Sequence, residues 1–199
     1  MRQFALLGLI LAACAGEARP TLDDISSDLR IESLPAGAHV TVGHQDIGPT
    51  PTTVHVQEGQ TYELTVGAPG FQTQHFGGSG AGLLKNRSVE LVLIPQGMSG
   101  PPPRGDDGAG LTAIAETLER SKSWGLAAEF WHRVILLAPR GPRGHRGLGS
   151  ALAKLGQDEA AVREYEQYIF LDPGAPDAAR VQRAIDAYRG GIVLPGFEQ

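Results

Sequence analysis

The chain has 199 residues, of which 41% are hydrophobic and 20% are charged, and its formal net charge is -5. This length allows two small domains, and the modest acidity argues against non-specific nucleic-acid binding, which needs a basic surface. Beyond the first residues, no stretch of the sequence is long and apolar enough to cross a membrane.

The amino-terminal stretch predicts export. Arg2 precedes a short apolar run over residues 4–10, and the small residues of Leu11-Ala12-Ala13 follow. This order is typical of a secretory signal peptide, which we predict for residues 1–13. The apolar run is far shorter than the roughly 20 residues that span a bilayer.

The residues Leu11-Ala12-Ala13-Cys14 resemble the lipobox of bacterial lipoproteins. The resemblance implies that the Cys14 thiol is diacylated, that the signal is cut before it, and that the new amino terminus is acylated. Cys14 is the only cysteine, so it has no intramolecular disulfide partner. The alternative is an ordinary signal peptide that ends near a buried cysteine.

The resemblance also predicts a location in the bacterial cell envelope. In Gram-negative lipoproteins an aspartate directly after the cysteine tends to retain the protein in the inner membrane. Ala15 stands there in this chain, which favours the outer membrane. Residues 14–28 are polar and mixed in charge, and we predict that they form the lipidated tether.

Residues 29–95 alternate between apolar and polar positions, as half-buried strands do. The apolar positions are Val40, Val42, Val54, Val56, Tyr62, Leu64, Val66 and the closing run Val89 to Ile94. Gly43-His44 suits a type II′ hairpin turn, and residues 77–82 suggest a glycine-rich loop. The pattern predicts a small antiparallel β-sandwich.

Several segments of this region share a family pattern: Ser33 to Val42, Gly48-Pro49-Thr50-Pro51, Glu58-Gly59, Tyr62 to Val66 and Gly70-Phe71. Together they resemble a PEGA domain, a compact β-sandwich of surface-associated and envelope proteins. The family usually has Asp-Gly where this chain has Gly43-His44, but both pairs can turn a hairpin. The resemblance carries over no functional residue.

Four histidines fall in the same region: His39, His44, His55 and His75. Imidazole is a common metal ligand. However, His39 and His55 occupy the polar phase of their strands, and no cysteine or carboxylate pair lies at ligand spacing. We therefore expect solvent-facing histidines rather than a metal site, and no cofactor.

Residues 96–109 contain three consecutive prolines with glycines on both sides, which predicts an extended linker. From residue 110 the hydrophobic period becomes helical, and the chain matches itself at an offset of 34 residues. The matched pairs are Ala127 with Ala161, Trp131 with Tyr165, Leu137 with Leu171 and Pro139 with Pro173. This repeat resembles the tetratricopeptide repeat (TPR), which implies two helix pairs and a capping helix over residues 110–190. A generic helical bundle is the alternative.

The second copy fits the TPR pattern better than the first, because Gly156 stands at its turn where the first copy has Lys122. The small residues Ala127, Gly149 and Ala161 are expected to let the helices approach closely, with Trp131 and Tyr165 filling the space between them. The capping helix, at about residues 175–188, should turn Ala178, Val181, Ile185 and Tyr188 inward and Asp177, Arg180, Arg183 and Asp186 outward. The apolar tail, residues 191–199, is predicted to pack back on it.

In TPR proteins the first helices of successive repeats line a groove that binds peptides. Helical spacing places four residues of the second repeat on the groove side, opposite its core stripe: Arg143, Arg146, Ser150 and Lys154. The matching positions elsewhere are Thr112, Glu116, Glu119 and Arg120 in the first repeat, with Arg180 or Arg183 in the capping helix. Guanidinium groups bind carboxylates in bidentate fashion, so we expect an acidic peptide or a chain's carboxyl terminus. Alternatively, these are solvated surface charges.

No Gly-x-Ser-x-Gly, His-Glu-x-x-His or Walker motif is present in the sequence, so we predict that the protein is not an enzyme. Two functions remain. The first is a membrane-anchored adaptor or scaffold that recruits another periplasmic or envelope protein through its TPR groove. The second is a structural envelope protein whose sandwich contacts peptidoglycan or a surface polymer.

Overall fold

The structure is a computed structural model that describes residues 26–192 and residue 194. The predicted signal peptide, Cys14 and most of the predicted tether lie outside the described residues, as does most of the tail. The strands are β1 (Ser26–Leu34), β2 (His39–Val42), β3 (Gln45–Pro49), β4 (Thr52–Gln57), β5 (Thr61–Gly67), β6 (Gln74–Ser79) and β7 (Ser88–Val92). The helices are α1 (Gly80–Leu83), α2 (Gly108–Arg120), α3 (Trp124–Leu137), α4 (Pro142–Lys154), α5 (Asp158–Leu171) and α6 (Ala178–Arg189).

The strands form the two packed sheets of a sandwich, as predicted. One sheet has the order β4-β1-β7 and the other has the order β3-β2-β5-β6. The strand pairs named here are antiparallel, except that β1 and β7 run parallel, which the sequence pattern did not predict. Alternate residues such as Leu29, Ile31, Leu64 and Val66 are fully buried between the sheets. The period-two pattern therefore reports the inward face correctly.

The hairpin between β2 and β3 turns at Gly43-His44, with Val42 paired to Gln45. Gly43 has a φ of 58°, in the left-handed region that glycine adopts without strain. A positive φ at the first central residue is what a type II′ turn requires. The turn is therefore built as the sequence predicts.

Residues 77–82 are not a loop, which corrects the prediction. Gly77 and Gly78 belong to β6, and α1 follows, capped by the Ser79 hydroxyl that accepts from the Gly82 amide at 3.3 Å. A side chain at Gly77 would run into the carbonyl oxygen of Tyr62 on β5. The glycine therefore allows two strands to approach closely, a use that glycine content alone does not distinguish from a loop.

The helices form two antiparallel pairs, α2 with α3 and α4 with α5, followed by α6. Trp131 and Tyr165 are fully buried, and each packs against a glycine of α4. An added β-carbon at Gly149 would lie 2.7 Å from the Tyr165 ring, and one at Gly147 would overlap the Trp131 ring. The sequence prediction of close helix approach is correct for Gly149, but it did not identify Gly147.

The two helix pairs turn in the same way although their sequences differ. Gly156 has a φ of 73°, and Lys122, at the equivalent place in the first pair, has a φ of 61°. Left-handed backbone is unfavourable for a residue with a β-carbon. The missing glycine in the first copy therefore leaves the backbone path unchanged and makes that turn less favourable.

The sandwich and the first helices share one hydrophobic core. Its members include Leu93 of the sandwich and Phe130 of α3, and the Phe130 ring stacks on Phe71 with centroids 6.5 Å apart. At the rim, Glu129 accepts from the Ala36 amide at 2.8 Å, and Arg133 bonds Glu90 at 2.7 Å. The two modules are therefore packed together.

The predicted linker is held against both modules. Arg133 of α3 donates to the carbonyl of Gly105 at 3.2 Å, and a β-carbon added at Gly105 would run into the carboxylate of Glu90 on β7. The Pro103 side chain lies directly over Gly110 at the start of α2. Pro142 begins α4 at a position where a missing amide costs nothing. Among the helices of the described residues, none is both long and apolar enough to cross a bilayer.

Candidate protein-binding face of the helical array

The predicted groove stripe lies on α4, the central helix of the array. Because neighbouring helices cover both of its sides, many of its residues are buried, and only a narrow strip reaches solvent. Arg143 and Lys154 are exposed, whereas Ser150 is 1% exposed and is not available to a partner. Spacing along one helix did not show this, because the covering side chains come from other helices.

Arg143 connects α4 to α2. Its guanidinium forms an ion pair with Glu116, while 64% of the Arg143 side chain remains exposed. Further along α2, the exposed Arg120 donates to the Thr117 hydroxyl at 2.8 Å. Thr112 is satisfied within its own helix by the carbonyl of Gly108. Where α2 meets α4, the face therefore presents the partly buried Glu116 beside two exposed arginines, Arg120 of α2 and Arg143 of α4.

Arg146 connects α4 to the start of α6. Its Nε donates to Asp177 Oδ2 at 2.7 Å, and both side chains are mostly buried. The Tyr168 hydroxyl donates to the other carboxylate oxygen, Oδ1. Nη2 of Arg180 lies 3.5 Å from Oδ2, the oxygen that Arg146 binds. Asp177 was predicted to face outward with the charges of α6, and the structure corrects this: its carboxylate lies at the centre of a polar cluster.

The environment of this cluster shifts two pKa values in opposite directions. Burial alone would raise the pKa of Asp177, but the hydrogen bonds from Tyr168 and Arg146 outweigh it and hold that pKa below its ordinary value. Burial, followed by the bond to the Asp177 carboxylate, raises the pKa of Tyr168 to about 12. Asp177 is therefore a carboxylate and Tyr168 a neutral donor at physiological pH.

Glu119 was predicted to face the groove, but it is 7% exposed. Its carboxylate accepts from the indole Nε1 of Trp131 at 2.9 Å. Burial raises its pKa, and the bond from Trp131 and the charge of Arg146 oppose that rise. Glu119 is therefore part of the packing beneath the face.

Lys154 and the capping helix complete the exposed positive charge. The Lys154 ammonium lies 5.7 Å from the centroid of the Trp124 ring, within the range of a cation–π contact. Arg180 and Arg183 are exposed on α6. We call five of the exposed cations of α2, α4 and α6 the basic row: Arg120, Arg143, Lys154, Arg180 and Arg183. Arg189, at the end of α6, forms an ion pair with Glu166 of α5 and is not counted in the row.

Sequence reasoning missed Asp177, Tyr168 and Trp124. An aspartate directly before a helix is a strong N-cap candidate, but the Asp177 side chain makes no cap hydrogen bond to α6, so this signal would have predicted a different role. Its pairing with Arg146 was not predictable, since the two residues are 31 positions apart. Trp124 and Lys154 meet across a similar separation.

A second surface lies on the outer face of the four-stranded sheet. An open groove of about 480 Å³ is lined by residues of β5 and β6. Thr65 and His75 are paired across these strands and bond each other at 3.1 Å. Among the described residues, no group of three or more histidine, cysteine or acidic side chains could hold a metal ion.

Comparisons with known families agree with this architecture. A model of the PEGA domain matches residues 26–75, and a model of the tetratricopeptide repeat matches residues 114–186. Both predicted resemblances are confirmed, in the predicted order. Both are non-catalytic kinds of domain, and TPRs generally mediate protein–protein interactions. No curated protein matches the chain.

Proposed function

We propose that this chain, which carries a PEGA domain followed by tetratricopeptide repeats, is a lipid-anchored adaptor of the bacterial envelope. Its helical array recruits a partner protein to the membrane. The observation that carries the proposal is the row of charged side chains across three helices, from Glu116 through Arg143 and Arg146 to Arg180.

The charge of this face favours an acidic partner. Glu116 and Asp177 each pair with an arginine of the chain. The basic row still presents five exposed cations, including Arg143, which pairs with Glu116 while 64% of its side chain is exposed. An acidic segment would meet an excess of positive charge, which raises the association rate and selects against basic partners. The chain as a whole is acidic, so this local excess is a distinct feature of the face.

The position of β1 supports presentation away from the membrane. Ser26 and Leu34 are its two ends, about 26 Å apart at the usual rise of a strand. Ala36, just beyond Leu34, bonds Glu129 of the helical array, whereas Ser26 is where the predicted tether enters. The predicted anchor therefore enters at the end of β1 that is farther from the Glu129 contact, through twelve residues, Cys14 to Ile25, that can reach at most about 40 Å.

The anchor is tested by fractionating cells that express Cys14→Ser. We expect wild type in the outer-membrane fraction with fatty acid on the mature amino terminus, and the variant without lipid and released from membranes. Two or three acyl chains hold a protein stably, whereas an unmodified chain of this composition has no comparable hydrophobic attachment. Ala15→Asp is the matched variant for sorting and should move to the inner membrane. Membrane association of the serine variant, with no fatty acid on wild type, rejects the anchor.

The binding face is tested by crosslinking in native envelopes with the double variant Arg143→Glu/Lys154→Glu. Both residues are exposed, so charge reversal should abolish capture of the partner without unfolding the array. Arg146 is unsuitable, because replacing it would break a mostly buried ion pair. Arg163→Glu, on the exposed part of α5 outside the basic row, is the control. Equal capture by wild type, double variant and control overturns the proposal.

A second candidate function rests on the outer sheet face. The groove over β5 and β6 presents Thr61, Thr65 and His75 together with Glu63, a set of hydrogen-bonding groups that suits a hydroxylated polymer such as peptidoglycan. This alternative makes the protein a structural envelope component, with the helices as a spacer.

The test is sedimentation of the full chain with cell-wall sacculi, because the shared core argues against separating the domains. Thr65→Ala/His75→Ala should reduce sedimentation if the groove binds polymer. Thr53→Ala/His55→Ala makes the same changes on the outer face of the other sheet and serves as control. Loss in the first variant alone supports the polymer role, and sedimentation unaffected by either excludes this groove.

A further inference from the structure

Asp177 occupies the N-cap position of α6, yet its side chain is used elsewhere. At this position an aspartate normally accepts hydrogen bonds from the amides of the first helical turn. Here the Asp177 carboxylate caps none of the described first-turn amides of α6. It reaches across to Arg146 and Tyr168 instead.

This carboxylate therefore has two alternative sites. In the first site it is bound by the Arg146 guanidinium and the Tyr168 hydroxyl, with Arg180 at 3.5 Å. In the second site it would cap α6, which requires the Asp177 backbone to turn from φ -108° and ψ 1° to an extended conformation. The first site has the chemistry of a carboxylate receptor: a planar guanidinium, a hydroxyl donor and a second cation.

We infer that Asp177 is an internal stand-in for a partner's carboxylate, and that an acidic partner segment displaces it from Arg146 to the N-cap of α6. The inference rests on the proposed function, because it concerns the regulation of the same face. In the free chain, Asp177 occupies the site and so excludes weakly acidic ligands. A segment that also engages the exposed basic row can displace it.

The exchange keeps the charges of the site balanced. A partner carboxylate replaces the Asp177 carboxylate on Arg146, so a mostly buried guanidinium keeps an anion beside it throughout. The displaced carboxylate gains the positive end of the α6 dipole and the first-turn amides. The buried Glu119 lies within electrostatic range of Arg146 and is unchanged by the exchange.

The test is Asp177→Asn in the full chain. Asparagine caps a helix about as well as aspartate, but it cannot form the ion pair with Arg146, so the variant should leave the receptor site open. We expect acetyl-hexaglutamate amide, titrated calorimetrically, to bind the variant about tenfold more tightly than wild type, as the loss of one charged competitor predicts. The NMR signal of the Arg146 Nε–H should shift on titration.

The control is Asp186→Asn, which removes the same charge from an exposed position of the same helix. The Asp186 carboxylate accepts from the side-chain amide of Gln182, one turn away on α6. An equal gain in both variants means that net charge alone is responsible and overturns the inference. A gain in Asp177→Asn that survives the added change Arg146→Gln also overturns it. If Asp177→Asn does not fold, the wild-type chain still tests the inference: saturating peptide should shift the NMR signal of the Arg146 Nε–H, and an unchanged signal overturns the exchange.

The peptide titration needs no native partner, so its outcome is separate from that of the crosslinking experiment. If Asp177→Asn binds the peptide more tightly but no partner is captured in the crosslinking experiment, the carboxylate site is supported and the adaptor function is rejected. If Asp177→Asn leaves partner capture unchanged and does not increase the affinity for the peptide, the adaptor function stands and the internal stand-in is rejected.

Discussion

The two helix pairs have the same backbone arrangement, but equivalent positions carry side chains of different polarity. Leu111 and Phe130 of the first pair are equivalent, at the 34-residue offset, to His145 and Glu164 of the second. Leu111 and Phe130 belong to the core shared with the sandwich. His145 and Glu164 bond each other, with Nδ1 and Oε2 2.7 Å apart. The same positions are apolar where the sandwich covers them, and they form a hydrogen-bonded polar pair in the second repeat, where His145 is buried and Glu164 is partly exposed.

The comparison teaches that the first repeat serves mainly as a dock for the sandwich and the second as the exposed module. Phe130 is fully buried against Phe71, whereas the Glu164 side chain is 27% exposed. The basic row follows the same division, since the second repeat contributes Arg143 and Lys154 and the first repeat contributes only Arg120. Five changes test this division, from the largest expected effect to the smallest.

Exchanging the residues at the docking position should have the largest effect. Phe130→Glu places a carboxylate in the shared core without a partner, and we expect a loss of about 5 kcal/mol or complete unfolding. The reverse change, Glu164→Phe, should cost about 1 kcal/mol because its site is partly open to water. Denaturant titration of both variants measures the difference. Similar losses would show that the two repeats are equally coupled to the sandwich.

Truncating the large ring between the helices should cost about 4 kcal/mol in each repeat. We expect Trp131→Ala to lose more than Tyr165→Ala, because it also removes the donor to the buried Glu119. Trp131→Phe keeps most of the ring and isolates the lost hydrogen bond. The free energy of unfolding orders the three variants, and a larger loss for Tyr165→Ala contradicts this account.

The Asp177 carboxylate should stabilise the array only when it is charged. The pKa of Asp177 in the folded chain lies below the ordinary value of 3.8. Its contribution to the free energy of unfolding is therefore present above about pH 4 and is lost as the pH falls through the folded-state pKa. Asp177→Asn should cost about 2 kcal/mol at pH 7, and its difference from wild type should shrink below pH 4. Asp186→Asn should follow wild type at each pH. A constant difference between Asp177→Asn and wild type would argue against the charged pair.

The Tyr168 hydroxyl should produce a smaller effect at the other end of the pH scale. Its pKa is raised from 10.0 to about 12, so its contribution is present below pH 10 and is lost as the pH rises towards 12. Tyr168→Phe should cost about 1 kcal/mol at pH 7 and remove this alkaline loss. Thermal unfolding between pH 7 and 12 measures both. Tyr188→Phe, the corresponding change on α6, is the control.

The turn residues should show the smallest difference between the repeats. Lys122→Gly relieves a left-handed backbone and should stabilise by about 0.5 to 1 kcal/mol. Gly156→Lys introduces the same strain into the second repeat and should cost about 1 kcal/mol. Opposite signs in denaturant titrations support the equivalence of the two turns, and equal signs contradict it.

Much of the fold could be predicted because its signals are local. The alternation around Val40 and Val42 reports a strand, and the 34-residue offset that aligns Trp131 with Tyr165 reports paired helices. The parallel pairing of β1 with β7 could not be predicted, because no local pattern distinguishes it from an antiparallel pair. Gly77 was misread for a similar reason, since its role depends on a neighbouring strand.

The candidate face shows where prediction from sequence stops. Arg143 and Lys154 are exposed as their spacing indicates, but Ser150 and Glu119 are covered, and Arg146 is bound to Asp177. Periodicity assigns each residue to a side of its own helix. It does not say which side chains from other helices will cover that side.

By itself, the sequence determined the two kinds of module, their order, the repeat length and the residues that carry charge. Only the tertiary structure decided which of those charges face solvent, which are paired, and that the modules share one core. The physical reason is the range of the interactions. Helix and strand periodicity arise between residues a few positions apart, whereas the contact of Asp177 with Arg146 and the stack of Phe71 on Phe130 exist only after distant segments have packed together.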